Sequence, residues 1–175
     1  RQLIMLFEEY KLKNVSLRNR VVMAPMTRNQ SPGGVPTDDV ISYYSRRAKA
    51  EVGMIITEGI EVSHEASSAY PNVPRLDSND AKEGWKKVVA GIKNNHGVVI
   101  AQLWHCGGFR KLGMQPNPEV PGHTASGLVK PGKKVAHEMT LEDIQETIEA
   151  YASDAKICEE LGFDGVEIHG AHGYL

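Results

Sequence analysis

Two histidines and a tyrosine gather in one short stretch, Asp164-Gly165-Val166-Glu167-Ile168-His169-Gly170-Ala171-His172-Gly173-Tyr174. Imidazole N–H groups can donate to an oxygen that is gaining negative charge, and a phenol can deliver a proton near neutral pH. The β-branched Val166 and Ile168 just before them read as a buried strand that presents polar groups at its carboxyl end. His169-x-x-His172 with no further clear ligand set is weak for zinc, and no metal site is read from the sequence.

Something must hold that strand end in place, and the preceding chain alternates strand and helix patterns, as a parallel sheet wrapped by helices does. Apolar runs at 20–25, 53–57, 98–103 and 164–169 predict four strands. Between them, Thr37 is expected to cap a helix over about 38–50. Trp85, Val88, Val89 and Ile92 recur at helical spacing, which predicts a second helix ending near Asn95 and Gly97. Thr140 opens a third, with Glu142 and Asp143 in its first turn and Gly162 as its stop. Its apolar face is expected to be Ile144, Ile148, Tyr151, Ala152, Ala155, Cys158 and Leu161. The long stretch 105–139 is too extended for a connector and reads as a lid or binding loop.

Four strands and three helices make (βα)₃β with an N-terminal extension. Every predicted strand is followed by polar or small residues: Thr27, Glu58-Gly59, Trp104-His105, and His169 onward. That face carries the active site in a β/α barrel. An open doubly wound sheet would use the same face. No G-x-G-x-x-G turn follows the first strand, however, so a dinucleotide Rossmann site has little support.

Composition narrows the remaining classes. The 175 residues are 41% hydrophobic, enough for one substantial core, and no linker divides them. A formal charge of −2 implies neither nucleic acid nor an anionic membrane as partner. Lys130, Lys133 and Lys134 read as a solvated loop. No apolar run approaches the ~20 residues of a membrane span. The start, Arg1 to Leu6, lacks the pattern of a signal peptide and reads as a trimmed terminus. Only Cys106 and Cys158 occur, so a disulfide framework is not expected and a cytoplasmic protein fits best.

Taken in order, four stretches resemble the old yellow enzyme family of flavin-dependent ene-reductases. They are Asn19-Arg20-Val21-Val22-Met23-Ala24-Pro25-Met26-Thr27-Arg28, Ile55-Ile56-Thr57-Glu58-Gly59, Gln102-Leu103-Trp104-His105, and Gly162 through Leu175. The resemblance implies a TIM (β/α)₈ barrel, of which residues 1–175 would be the N-terminal half of a single FMN-binding domain, the C-terminal half being absent. It implies FMN over the strand ends, reduced by NADPH or NADH, and hydride transfer to the β-carbon of an activated alkene such as an enone or nitroalkene. Residue by residue, Pro25, Met26 and Thr27 would lie beside the flavin, with Gly59 and Gln102 as further contacts. Trp104 would line the substrate pocket, His169 and His172 would bind the substrate oxygen, and Tyr174 would protonate the α-carbon. Thr27 matches the branch without a thiol at that position. Where the family often runs His-x-Gly-Arg, this chain has His105-Cys106-Gly107-Gly108-Phe109-Arg110, so Arg110 is not assigned to the pocket.

A complete barrel takes about 250 residues. Half a barrel would expose a strand edge and an apolar face, so two outcomes are expected. Either the chain is part of a working ene-reductase, completed by a second chain or by residues outside this sequence, or it is a non-catalytic half-barrel that binds no flavin alone and self-associates or needs a partner chain. Trp85 and Tyr151 are expected as core or shell residues on helices, and Cys106 as an inert, partly buried thiol.

Overall fold

A computed structural model describes residues 5–175; residues 1–4, on which most of the reading of the start falls, lie outside the described residues. The chain opens with an antiparallel hairpin, β1 (Tyr10–Leu12) and β2 (Val15–Leu17). Beyond it Arg18 donates to the carbonyls of Ala48, Val52 and Asn95, so one guanidinium fastens the extension to two helix ends. Cations are favoured there because helix C-termini carry unsatisfied carbonyls.

A parallel four-stranded sheet follows: β3 (Val22–Met23), β4 (Met54–Glu61), β5 (Val98–Trp104) and β10 (Gly165–Ile168), in spatial order β10-β5-β4-β3. Helices α1 (Asp38–Lys49), α2 (Asn79–Lys93) and α3 (Leu141–Leu161) connect them. The side chains of Thr37, Ser78 and Thr140 each accept from a backbone N–H of the first turn, a cap that typically contributes about 1 kcal/mol. Thr140 and Asp143 form a reciprocal capping box, and Gly162, at φ 91°, ends α3 in the left-handed conformation that glycine alone adopts freely.

The core lies between the sheet and the helices. Ile55, Val99, Ala101 and Leu103 meet Val40, Tyr44, Trp85, Val88, Ile92 and Cys158 there. Burial of each large apolar side chain contributes about 1.5–3 kcal/mol. Trp85 sits in this core and Tyr151 packs against it.

Three expectations need correction. The first strand pairs only over Val22–Met23 rather than 20–25, since Pro25 has no N–H to continue a ladder. The second runs to Glu61 rather than 57, carried past a register shift between Ile56 and Gly59. Only the C-terminal part of α3's predicted face is covered: Tyr151, Ala155 and Leu161 pack on the core, whereas Ile144, Ile148 and Ala152 are exposed.

The stretch 105–139 is an ordered excursion rather than a bare lid. It carries β6 (His123–Thr124), β7 (Leu128–Lys130), β8 (Lys133–Lys134) and β9 (His137–Glu138), with β6 paired to β9 and β7 to β8. Buried Arg110 braces it by donating to the carbonyls of Ser68, Met114, Asn117 and Val120. Five fixed N–H donors make arginine suited to gathering carbonyls that would otherwise be orphaned. Arg110 is thus a structural brace and lies outside the pocket at the strand ends.

Candidate active site

The carboxyl ends of β3, β5 and β10 surround one cavity of about 470 Å³. Its walls are Pro25 and Thr27 after β3, Gln102 and Trp104 on β5, Glu167 and Ile168 on β10, and the loop from His169 to Tyr174. Strand alternation places Gln102 and Trp104 on the same face, and register sets Glu167 directly across from Gln102. Gln102 donates from Nε2 to a Glu167 carboxylate oxygen at 2.8 Å, which leaves its carbonyl oxygen as the acceptor offered to a ligand.

The loop after β10 is built for direction. His169 is anchored by its backbone N–H to the Leu103 carbonyl at 2.9 Å, and its ring stacks on Trp104 with centroids 5.5 Å apart. Its Nδ1 accepts from the Ala171 N–H at 3.4 Å, so in the neutral ring the proton resides on Nε2 and is free to be donated. His172 has φ 61°, a left-handed conformation that costs a residue bearing a Cβ about 1–3 kcal/mol. The two imidazoles stand 5.8 Å apart between centroids.

Tyr174 is braced on three sides. Its ring meets Trp104 edge-on at 4.9 Å, Phe109 at 4.5 Å and His169 at 5.3 Å. Its carbonyl accepts from the Gly108 N–H at 3.0 Å. A Cβ on Gly107, which has φ 54°, would stand 1.6 Å from that same carbonyl oxygen, so only glycine permits the approach. Its hydroxyl lies 3.4 Å from the Tyr70 hydroxyl, a contact that raises the Tyr70 pKa above the ordinary phenol range, with burial adding to it.

A second layer positions Thr27. The register shift in β4 sets Thr57 and Glu58 opposite the single residue Ala101, a bulge of the kind that re-aims side chains beside active sites. Glu58 thereby becomes fully buried and accepts from the Arg28 N–H at 3.1 Å, tying down the segment that carries Thr27. The Tyr44 hydroxyl accepts from the Glu58 N–H at 2.8 Å. Burial raises the Glu58 carboxyl to about 7.

Of the residues expected at the site, Pro25, Thr27, Gln102, Trp104, His169, His172 and Tyr174 line this one cavity. Met26 and Gly59 are not among its lining residues. Met26 is half exposed, and a Cβ on Gly59 would fall 2.5 Å from the Trp104 ring, so Gly59 makes room for the indole. Sequence reasoning missed Glu167, Tyr70, Phe109 and Gly107. The adjacent glycines of Gly107-Gly108 were a local signal of close backbone approach; the two aromatics had none, because their partner is over sixty residues away or more.

Residues 5–175 match the model of the NADH:flavin oxidoreductase / NADH oxidase family. The chain belongs to that family. It is 34% identical to 12-oxophytodienoate reductase 2 of Arabidopsis thaliana, across 100% of this chain and 49% of that one. It is also 34% identical to 12-oxophytodienoate reductase 7 of Oryza sativa subsp. japonica, across 97% of this chain and 46% of that one. Morphinone reductase superposes with a TM-score of 0.89 at 30% identity, over 97% of this chain and 49% of its own. Old Yellow Enzyme from Pichia sp. superposes with a TM-score of 0.88 at 34% identity. The chain therefore spans about half the length of the relatives it matches, and its (βα)₃β unit has the architecture of the first half of this family's TIM barrel.

Proposed function

We propose that this chain forms the substrate-facing half of an FMN-dependent ene-reductase, residues 1–175 being the N-terminal half of one barrel domain. The observation that carries the reading is the meeting of His169, His172 and Tyr174 with Thr27 and Gln102 around a single cavity at the strand ends. The lining fits the ring portion of the cofactor: Gln102 offers a carbonyl acceptor to an N–H edge, Thr27 a hydroxyl, and Pro25 an apolar surface. It contains no Lys or Arg, so the phosphate has no cationic partner among these residues. When bound and reduced by NADPH or NADH, FMN supplies the hydride.

The residues of this chain do the rest. His169 and His172 donate N–H groups to the carbonyl or nitro oxygen of an activated alkene, where negative charge accumulates as hydride arrives at the β-carbon. Each such fixed donor is typically worth about 3–4 kcal/mol of barrier. Tyr174 holds a proton on its hydroxyl and gives it to the α-carbon, with the Tyr70 hydroxyl behind it as hydrogen-bond partner. Trp104 forms one wall.

A second reading rests on the exposed apolar face of β10. There the chain by itself binds no flavin and first pairs with a completing chain or a second copy, in keeping with the exposure of Val166 and Ile168. Both cysteines are free and buried, which supports a reducing compartment, the cytoplasm, as its location. No described helix is long and apolar enough to cross a membrane.

Stopped-flow kinetics with cyclohexenone test the first reading. Tyr174→Phe is expected to slow reoxidation by the enone about 10²–10⁴-fold while leaving reduction by the nicotinamide unchanged. Equal slowing of both half-reactions, or of neither, would remove Tyr174 from the proton-donor role.

A further inference from the structure

Away from the strand-end cavity, the geometry points to a divalent transition-metal site of the zinc class, built by His123, His137 and Asp143. One ring nitrogen of each histidine and a carboxylate oxygen of Asp143 lie within 4.8 Å of one another. Three elements converge to make this happen. The parallel pairing of β6 with β9 puts His123 and His137 in register, their ring centroids 4.6 Å apart, and the first turn of α3 supplies Asp143.

A purely hydrogen-bonded cluster accounts for two of the three residues. Asp143 accepts from His137 Nε2 at 2.7 Å and from the Thr140 N–H at 2.7 Å. It does not account for His123, which is only 7% exposed and whose Nδ1 is buried without any hydrogen-bond partner. Orphaned buried ring nitrogens are uncommon, and an ion is one of the standard reasons for them. Two imidazoles and one carboxylate form a donor set suited to Zn²⁺, with a fourth position left for water. The imidazole of His137 is 40% exposed, which provides the way in.

The metal fastens β6, β9 and α3 to one another. That matters to the rest of the molecule because Thr124, next to His123, packs against Gly108, whose N–H holds the Tyr174 carbonyl. The site is therefore a structural clip on the excursion, remote from the reaction itself. No spacing motif marks it in the sequence, since the three residues belong to three separate elements.

The test uses the untagged full chain, stripped with a chelator and titrated with Zn²⁺ against a chromogenic competitor, with Co²⁺ as spectroscopic probe. The expected result is one equivalent of Zn²⁺ per chain, a rise in melting temperature, and Co²⁺ ligand-field bands of a four- or five-coordinate nitrogen–oxygen site. Loss of outer-layer partners alone typically weakens metal affinity 10–100-fold, so His123→Ala and Asp143→Asn should each weaken it by about 100-fold or more. Several weak equivalents, no binding, or one equivalent retained in His123→Ala would each overturn the proposal. Should the variants misfold, the Co²⁺ spectrum of the unaltered chain decides, because a six-coordinate aquo-like spectrum refutes the site without any substitution.

Discussion

Ala101 and Val166 are partners in register on neighbouring strands, as are Leu103 and Ile168, yet their surroundings are opposite. Ala101 and Leu103 on β5 are 0% and 1% exposed, whereas Val166 and Ile168 on β10 are 40% and 67% exposed. The face is the same and the residue types are equally apolar; the difference is what lies above them. Helices α2 and α3 cover β5, but among the described residues nothing completes the cover over β10. The N-terminal half of α3 repeats the pattern, with Ile148 55% exposed. Contiguous exposed apolar surface, unlike a single exposed side chain, is the kind that marks an interaction site. The contrast separates a flank whose apolar residues are covered from one whose apolar residues face solvent.

The largest expected effect lies on the covered flank. Leu103→Ala should lower unfolding free energy by about 2–5 kcal/mol, read by denaturant titration. A cost under about 1 kcal/mol would mean that the core between sheet and helices is loosely packed. Next comes Glu58, the carboxyl buried on the same flank. Its pKa is raised in the folded chain from 4.5 to about 7, so the unfolded state ionises first as pH rises. The Glu58 contribution to stability is therefore fully present below about 4.5, shrinks as pH climbs, and is gone above about 7, for a total of about 3 kcal/mol at 1.36 kcal/mol per unit. Glu58→Gln should reduce that slope, leaving the part due to the buried Glu61 and Asp154 carboxyls, which burial also raises, and should exceed the parent in melting temperature at pH 8. A parent profile that is flat from pH 5 to 8 would contradict the burial of an ionisable group there.

On the open flank the effect should be smallest. Ile168→Ala and Ile148→Ala are each expected to change stability by less than about 0.5 kcal/mol in a dilute, monomeric sample. A loss above about 2 kcal/mol, with a native mass of two chains or more, would show the flank to be covered by a second copy and would erase the comparison.

How much of this was legible in the residues follows the same divide between local and distant causes. The three helices, their caps at Thr37 and Thr140 and the stop at Gly162 are encoded within a few neighbours, so periodicity and capping residues found them. The convergence of His169, His172 and Tyr174 with Thr27 and Gln102 was legible through family resemblance and through the polar residues at each strand end. What escaped was non-local. The bulge that buries Glu58 depends on pairing with β5, and the exposure of Ile144 and Ile148 depends on a neighbour that no helical period can report. The brace by Arg110 and the meeting of His123 with His137 arise only when the 105–139 excursion folds back on itself.

The proposed flavin site is the strand-end cavity, with Thr27 and Gln102 as its polar contacts. Titrating the purified chain with FMN and, separately, with riboflavin, and following quenching of flavin fluorescence, tests it most directly. Because no cation lines the cavity, both should saturate at one equivalent with affinities within about tenfold, and Gln102→Leu should weaken both about tenfold by removing roughly one hydrogen bond. Absence of saturable binding to either, or binding that Gln102→Leu leaves unchanged, would contradict the assignment of this cavity to the flavin.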